Sequence, residues 1–348
     1  MSRFSTAIRN GWEGWAFSGL SLLILVVHTP WIPNGGVVKW CLVTALAVLA
    51  CLRVRFLDPT DILAIVIGCY AGFGVLWTPD TLGTVPHLWA IWACIAVFIY
   101  ARRVNMRACI VTSAVWCWIG FEVYRPEYFA GFGNENFATI AFVAALPFLV
   151  KQKRWETAAA AVWYLLFVNG SHLELPAFGG WAVRWCLSDI KRRWWGLCVA
   201  AIGLLAAGYA VYSVSPFSWL YRADMWRGAL MMFLDAPLLG HGVGSFEVLF
   251  ALYTPDSVVL TRDVFTPGAT HSDWLQLLAE LGIVGFLLVA ALLWRCRGGG
   301  YVFAGLGAVA LVDFPFQLPA SAFLAVLALA DGAGRPFRWA GHPSVEGA

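Results

Sequence analysis

Charge is scarce in this chain. Asp, Glu, Lys and Arg supply 12% of its 348 residues, against about 25% in an ordinary soluble domain. A water-covered globular surface is therefore excluded. The nine cysteines include no C-x-x-C pair, so neither a disulfide framework nor a thiolate metal site is indicated. No His/Cys/Asp cluster has zinc spacing, and no D-x-D pair stands in a segment expected outside. No cofactor or metal is expected. The net charge of +3 comes without a basic block, and no nucleic-acid partner is implied. The strict apolar/polar alternation of a membrane barrel is absent too.

What fills the chain is apolar. Hydrophobic residues make up 61% and fall in runs of about 15–22 positions, the length a helix needs to cross the hydrocarbon core. An all-α polytopic membrane protein is predicted, one membrane domain over 1–348. Twelve spans are expected at roughly 15–32, 36–52, 61–78, 84–101, 108–123, 136–150, 157–171, 173–189, 194–214, 271–293, 300–314 and 317–332. Arg3 and Arg9 precede the first run as in a signal sequence, but His28-Thr-Pro-Trp31 closes it without a small-x-small site. It reads as an uncleaved span. Most of the 23 Lys and Arg stand at alternate span ends, which puts both termini in the cytoplasm. Tryptophans near span ends, such as Trp40, Trp77, Trp155 and Trp294, read as an interfacial belt.

One outer loop is long, from about 215 to 270. Loops above about 15 residues are usually functional or disordered. This one holds an amphipathic stretch, Trp219 to Leu234, with Trp219, Trp226, Leu230 and Phe233 on one helical face and Arg222 one turn before Trp226. A helix on the membrane surface or capping a cavity is expected. Gly240-His241-Gly242-Val243-Gly244 follows Pro237. It reads first as a flexible turn, since no strand precedes it, and otherwise as an anion nest.

The residues able to do chemistry gather on the expected outer side. His271 opens the tenth span at the water boundary, where an imidazole is able to act as a base. Ser272 is placed to cap that helix. Asp273, Gln276 and Glu280 form one polar stripe, which avoids lipid because a mid-helix acid costs about 3 kcal/mol there. The stripe is either a packing feature or part of a wet cavity. Arg125, Arg184, Arg222 and Arg227 are assigned away from the cytoplasmic side. Each is either a snorkelling surface residue or a diphosphate ligand, since the guanidinium fork binds two oxygens at once. Asn136, at the entry to the sixth span, either caps it or binds sugar hydroxyls. Ser171-His172-Leu173-Glu174 ends the seventh span, and its His–Glu pair is structural or lines the same cavity. Asp313-Phe314-Pro315 is an outer turn, taken first as a helix-turn element.

These motifs together resemble the O-antigen ligase/polymerase superfamily of bacterial envelope proteins. His271-Ser272, nine residues, Gly282, two residues and Gly285 match its histidine motif. Arg222, Trp226, Pro237, Gly240 and Gly242 match its Arg-x-x-x-Trp helix and Pro-x-x-Gly-x-Gly turn. Gly133-Asn134-Glu135-Asn136 is similar to its Gly-Asn-Pro-Asn helix entry, and Asp313-Phe314-Pro315 to a late motif. The resemblance, over roughly 120–330, implies a C-type membrane glycosyltransferase in the bacterial inner membrane, working on its periplasmic side without metal. The implied donor is a polyprenyl-diphosphate-linked glycan. The implied acceptor is lipid A–core, another lipid-linked glycan or protein, and membrane lipids surround the whole. His271 is implied as the base and Arg222 as a diphosphate clamp. The family's second arginine, in Ser-Arg-Gly, has no counterpart in Ser171-His172-Leu173, so His172, Arg184 or Arg125 is the expected substitute. The competing readings are a flippase of lipid-linked oligosaccharide, using the polar stripe as its path, and a non-catalytic envelope-assembly protein.

Overall fold

A computed structural model of the chain describes residues 11–26, 35–54, 57–103, 107–124, 135–168, 171, 173–187, 198, 216–253, 269–297 and 300–333. Every regular element among them is helical. The first eight helices are α1 (Gly11–Val26), α2 (Gly35–Arg53), α3 (Pro59–Phe73), α4 (Thr81–Ala101), α5 (Arg107–Tyr124), α6 (Glu135–Lys151), α7 (Trp155–Trp163, continued by a π turn, Tyr164–Val168) and α8 (Glu174–Leu187). Then follow α9 (Pro216–Asp235), α10 (Ser245–Tyr253), α11 (Asp273–Arg295), α12 (Gly300–Val309) and α13 (Pro319–Gly332). Each expected span other than 194–214 meets one of these helices; that one falls almost entirely outside the described residues. Among the described residues, three segments, Pro59–Leu76, Thr81–Ala101 and Asp273–Arg295, are long and apolar enough to cross a membrane, and shorter apolar helices of 10–17 residues accompany them. The chain is a helical membrane protein.

Two helices form the centre. On α6, Ala138 to Ala145 are buried, and α13 is buried on almost every side from Ala320 to Ala328. Both are rich in alanine, and small side chains let helix backbones approach closely where lipid supplies no hydrophobic drive. The same device joins α8 to α12. A Cβ on Gly180 would overlap the Ala304 carbonyl, and one on Gly305 would strike the Trp181 indole.

Chain order gives the bundle two ends. From His271, α11 runs to Arg295, α12 returns to Asp313, and α13 leads away again to Asp331. Phe137 at the start of α6 packs on Phe314, and Lys151 at its finish pairs with Asp331. So α6 also runs from the His271 end to the Arg295 end.

At the Arg295 end the buried acids of α3 are matched by arginines. Asp58 caps α3, accepting from the Thr60 and Asp61 amides at 2.9 Å each, and Asp61 returns the bond to the Asp58 amide at 3.2 Å. This is a capping box in which both partners are aspartate. Arg102, just past α4, bridges both acids at 2.6 Å, and Arg103 reaches Asp61 at 2.8 Å. Burial opposes ionisation of Asp58, but the Arg102 guanidinium and the two amides outweigh it and hold the carboxyl down at about 2. Arg295 reaches Thr60 at 3.3 Å, tying α11 to the same cluster.

Candidate active site

Helix α11 is broken in its middle. Gly282 has φ 62° and ψ −169°, a region open in practice only to glycine. The break frees the carbonyls of Ala279, Glu280 and Leu281 and the amides of Ile283 and Val284, and buried groups of this kind need partners. The turn after α9 supplies most of them. The amides of His241 and Gly242 donate to Ala279 and Glu280 oxygens at 3.1 and 2.8 Å, and the amides of Ile283 and Val284 donate to Pro237 and Leu238 oxygens at 2.9 and 3.2 Å. The Tyr70 hydroxyl, from α3, donates to the Leu281 oxygen at 2.8 Å. The turn is held from its other side by Trp77 Nε1 on the Gly240 oxygen at 3.1 Å and Thr84 Oγ1 on the Val243 oxygen at 2.9 Å. The sequence reading of 240–244 as a flexible turn is thus corrected: the turn replaces the missing ladder of α11. A Cβ on Gly240 would overlap the Glu280 carbonyl, and one on Gly282 the Leu238 carbonyl.

The polar stripe is spent on the same joint. Gln276 Nε2 donates to Glu280 Oε1 at 3.0 Å, and that oxygen accepts the Phe246 amide at 3.4 Å. Asp273 accepts the Phe316 amide at 2.7 Å and Gln317 Nε2 at 2.9 Å. Gln276 Oε1 takes Gln317 at 2.9 Å and the Thr270 amide at 3.2 Å. The three residues face the protein interior, as expected, and there they brace the turns around His271.

His271 stands at the N-terminus of α11 with φ 50°, an uncommon backbone for a side-chain-bearing residue that costs about 1–3 kcal/mol. Its neighbours hold it there. Thr270 Oγ1 accepts the Ser272 amide at 2.9 Å, the Asp273 amide donates to the Asp313 oxygen at 3.3 Å, and Trp226 Nε1 donates to the His271 oxygen at 3.1 Å. Ser272 takes the N-cap position without capping: its hydroxyl donates instead to the Ala310 oxygen at 3.2 Å. The His271 ring sits edge-on to Phe314 at 4.9 Å. Its Nδ1 lies 3.3 Å from Asp313 Oδ1, with the acid almost fully buried and the imidazole 28% exposed. Asp313, taken from sequence as a turn element, therefore lies against the histidine.

Helix α9 lies against α11. Met225, Ala229 and Met232 are buried with Phe246, Phe250 and Ala279. Of the face named from sequence, Leu230 is exposed while Trp226 and Phe233 are half-buried. Arg222, half-buried, is one turn before Trp226 and shares its side of the helix. Arg227 is exposed. Asn136 precedes Phe137, which packs on Phe314, so it lies at the His271 end. Ser171 is at that end too, with its hydroxyl 2.6 Å from Thr139 on α6. His172 and Arg125 lie outside the described residues. Arg184 is a correction. It sits beside Gly300 and over the Tyr301 ring at 5.5 Å, at the end opposite His271, because α8 starts at the His271 end and its last turn is at the other.

These features define a class: a helical membrane protein in which a histidine–aspartate pair and an arginine-bearing helix meet at one end of the bundle. Residues 137–290 match the O-antigen ligase family, which supports a likeness to the O-antigen ligase superfamily. The match takes in Arg222, Trp226, the 237–242 turn, His271 and Gly282, and stops short of Asp313. An uncharacterized protein of Haemophilus influenzae is similar over 205 residues at 23% identity, covering 49% of this chain and 50% of that protein. The chain thus spans about half the length of that relative.

Proposed function

We propose that this chain is an inner-membrane glycosyltransferase that moves a polyprenyl-diphosphate-linked glycan to an acceptor hydroxyl at the His271 end, on the periplasmic face. The observation that carries the reading is the His271–Asp313 contact beside the Arg222 helix, with His271 and Arg222 inside the segment that matches the O-antigen ligase family. Nδ1 lies 3.3 Å from the Asp313 carboxylate; a proton held there leaves the Nε2 lone pair for the acceptor. Nε2 takes the hydroxyl proton, the oxygen attacks the anomeric carbon, and the bond to the diphosphate breaks. Arg222 balances the charge that develops on the leaving diphosphate. The α9 helix brings it to the site because Trp226 is hydrogen-bonded to the histidine's own carbonyl.

The test is transfer by purified protein. His271→Ala and Arg222→Ala each abolish product while the protein remains inserted; normal transfer by both would sink the proposal. A lipopolysaccharide gel of a deletion strain then separates acceptors. Bare core with stored lipid-linked glycan indicates ligation, and core plus one repeat indicates polymerisation. An unchanged ladder points to another glycan or to protein. Translocation of lipid-linked glycan is disfavoured, because the residues of the polar stripe are hydrogen-bonded within the protein.

A further inference from the structure

The end opposite His271 holds a feature that sugar transfer does not use. A cavity of about 530 Å³ opens among α6, α8, α12 and α13, within the roughly 300–1,000 Å³ range of small-molecule pockets. Its walls are apolar, with Leu146, Phe148, Trp181 and Ala328 among them. Val150 and Tyr301, on its border, are 44% and 41% exposed. All four walls belong to helices of the bundle.

The rim is ionic and predominantly basic. Lys151 and Asp331 line the cavity and pair with each other. Lys153 and Arg154, both exposed, follow directly. Arg184 lies one turn beyond Trp181, over the ring of Tyr301. Among the described residues, four bases, Lys151, Lys153, Arg154 and Arg184, therefore stand with two acids, Asp331 and Glu156, at the level where the helices end. Basic pockets between spans on the cytoplasmic side match anionic headgroups, each nearby Lys or Arg contributing about 1 kcal/mol.

We propose that this crevice is a binding site for an anionic phospholipid, with an acyl chain between α6 and α12 and the phosphate on the Lys151–Arg154 turn. The apolar volume fits the chain, and the charge excess selects the headgroup. The Lys151–Asp331 pair closes the boundary between them. The proposal does not depend on the transferase reading, because it concerns the other end of the bundle.

Native mass spectrometry of the full chain in mild detergent, mixed with equimolar phosphatidylglycerol and phosphatidylethanolamine, tests it. The wild-type protein is expected to retain one phosphatidylglycerol at least fivefold over phosphatidylethanolamine. Lys153→Glu with Arg154→Glu, which leaves the Lys151–Asp331 pair in place, removes the preference. Val150→Trp, which fills the opening, removes both lipids. The melting temperature of each variant reports folding, and either one alone is decisive if the other fails to fold. Equal retention of the two lipids by wild type overturns the proposal. So does wild-type retention by a folded variant, or displacement of phosphatidylglycerol by an equimolar polyprenyl phosphate.

Discussion

The two ends of the bundle handle charge in opposite ways. At the Arg295 end, Asp58 and Asp61 are buried, and each oxygen meets a guanidinium or an amide. At the His271 end, backbone strain and incomplete pairing coexist. His271 has positive φ, α11 is broken at Gly282, and Asp313 Oδ2 and His271 Nδ1 have no hydrogen-bond partner among the described residues. Such strain persists only where the surroundings over-determine it. Lys153, at the Arg295 end, also has positive φ, so the contrast lies between the fully paired Asp58–Asp61 cluster and the broken helix and incompletely paired His271–Asp313 contact of the other end.

Substitutions that affect one end and spare the other sharpen this division. The largest effect is expected from Arg102→Met. It leaves the buried Asp58 carboxylate without a cation and Asp61 with Arg103 alone, and costs about 3–5 kcal/mol, read as a lower unfolding temperature in detergent, with transfer by the remaining folded protein unchanged. The same cluster has an acid limit. Because the Asp58 carboxyl is held at about 2, its contribution is present above the ordinary carboxylate range. It is lost as the pH falls through about 2, so an acid melt of wild type shows a step that Asp58→Asn lacks.

Gly282→Ala comes next. It forces a side chain into a left-handed backbone and against the Leu238 carbonyl, at about 1–3 kcal/mol. Hydrogen exchange at Ile283 and Val284 is expected to quicken, and transfer to fall. Asp313→Asn keeps the shape of the turn and is expected to lower kcat about tenfold, or about 1.4 kcal/mol, with insertion intact. An unchanged kcat would make Asp313 merely structural. The smallest effect is that of Trp226→Phe, which removes one hydrogen bond to the His271 carbonyl. About 1 kcal/mol is expected, seen as a several-fold slower transfer at unchanged melting temperature.

The fold was largely readable in one dimension. Long apolar runs near 59–76, 81–101 and 273–295 are helices because a polar backbone has no other way to satisfy itself in lipid, and observed helix ends lie close to those expected. The face of α9 was not readable. A periodic stripe through Trp219, Trp226, Leu230 and Phe233 and one through Met225, Ala229 and Met232 are both apolar, and α11 and α10 select the second by packing on it. Arg184 was misplaced for a related reason: its side follows from the direction of α8, and α8 is a short helix with uncertain ends in sequence.

The site divides along the same line. Composition alone determined a membrane protein, since 12% charge cannot cover a soluble surface. Residue type and position singled out His271 and Arg222, and the resemblance to the family motifs added Gly240, Gly242 and Gly282. Only the tertiary structure joined them. It showed that the Pro237–Gly242 turn and the Gly282 break are two halves of one hydrogen-bonded joint, and that Asp313, 42 residues along the chain, meets the histidine. The physical reason is that spacing along a chain records which side chains share a helix face. Which carbonyl of one segment accepts the amide of another depends on how the helices dock, and no local pattern encodes that.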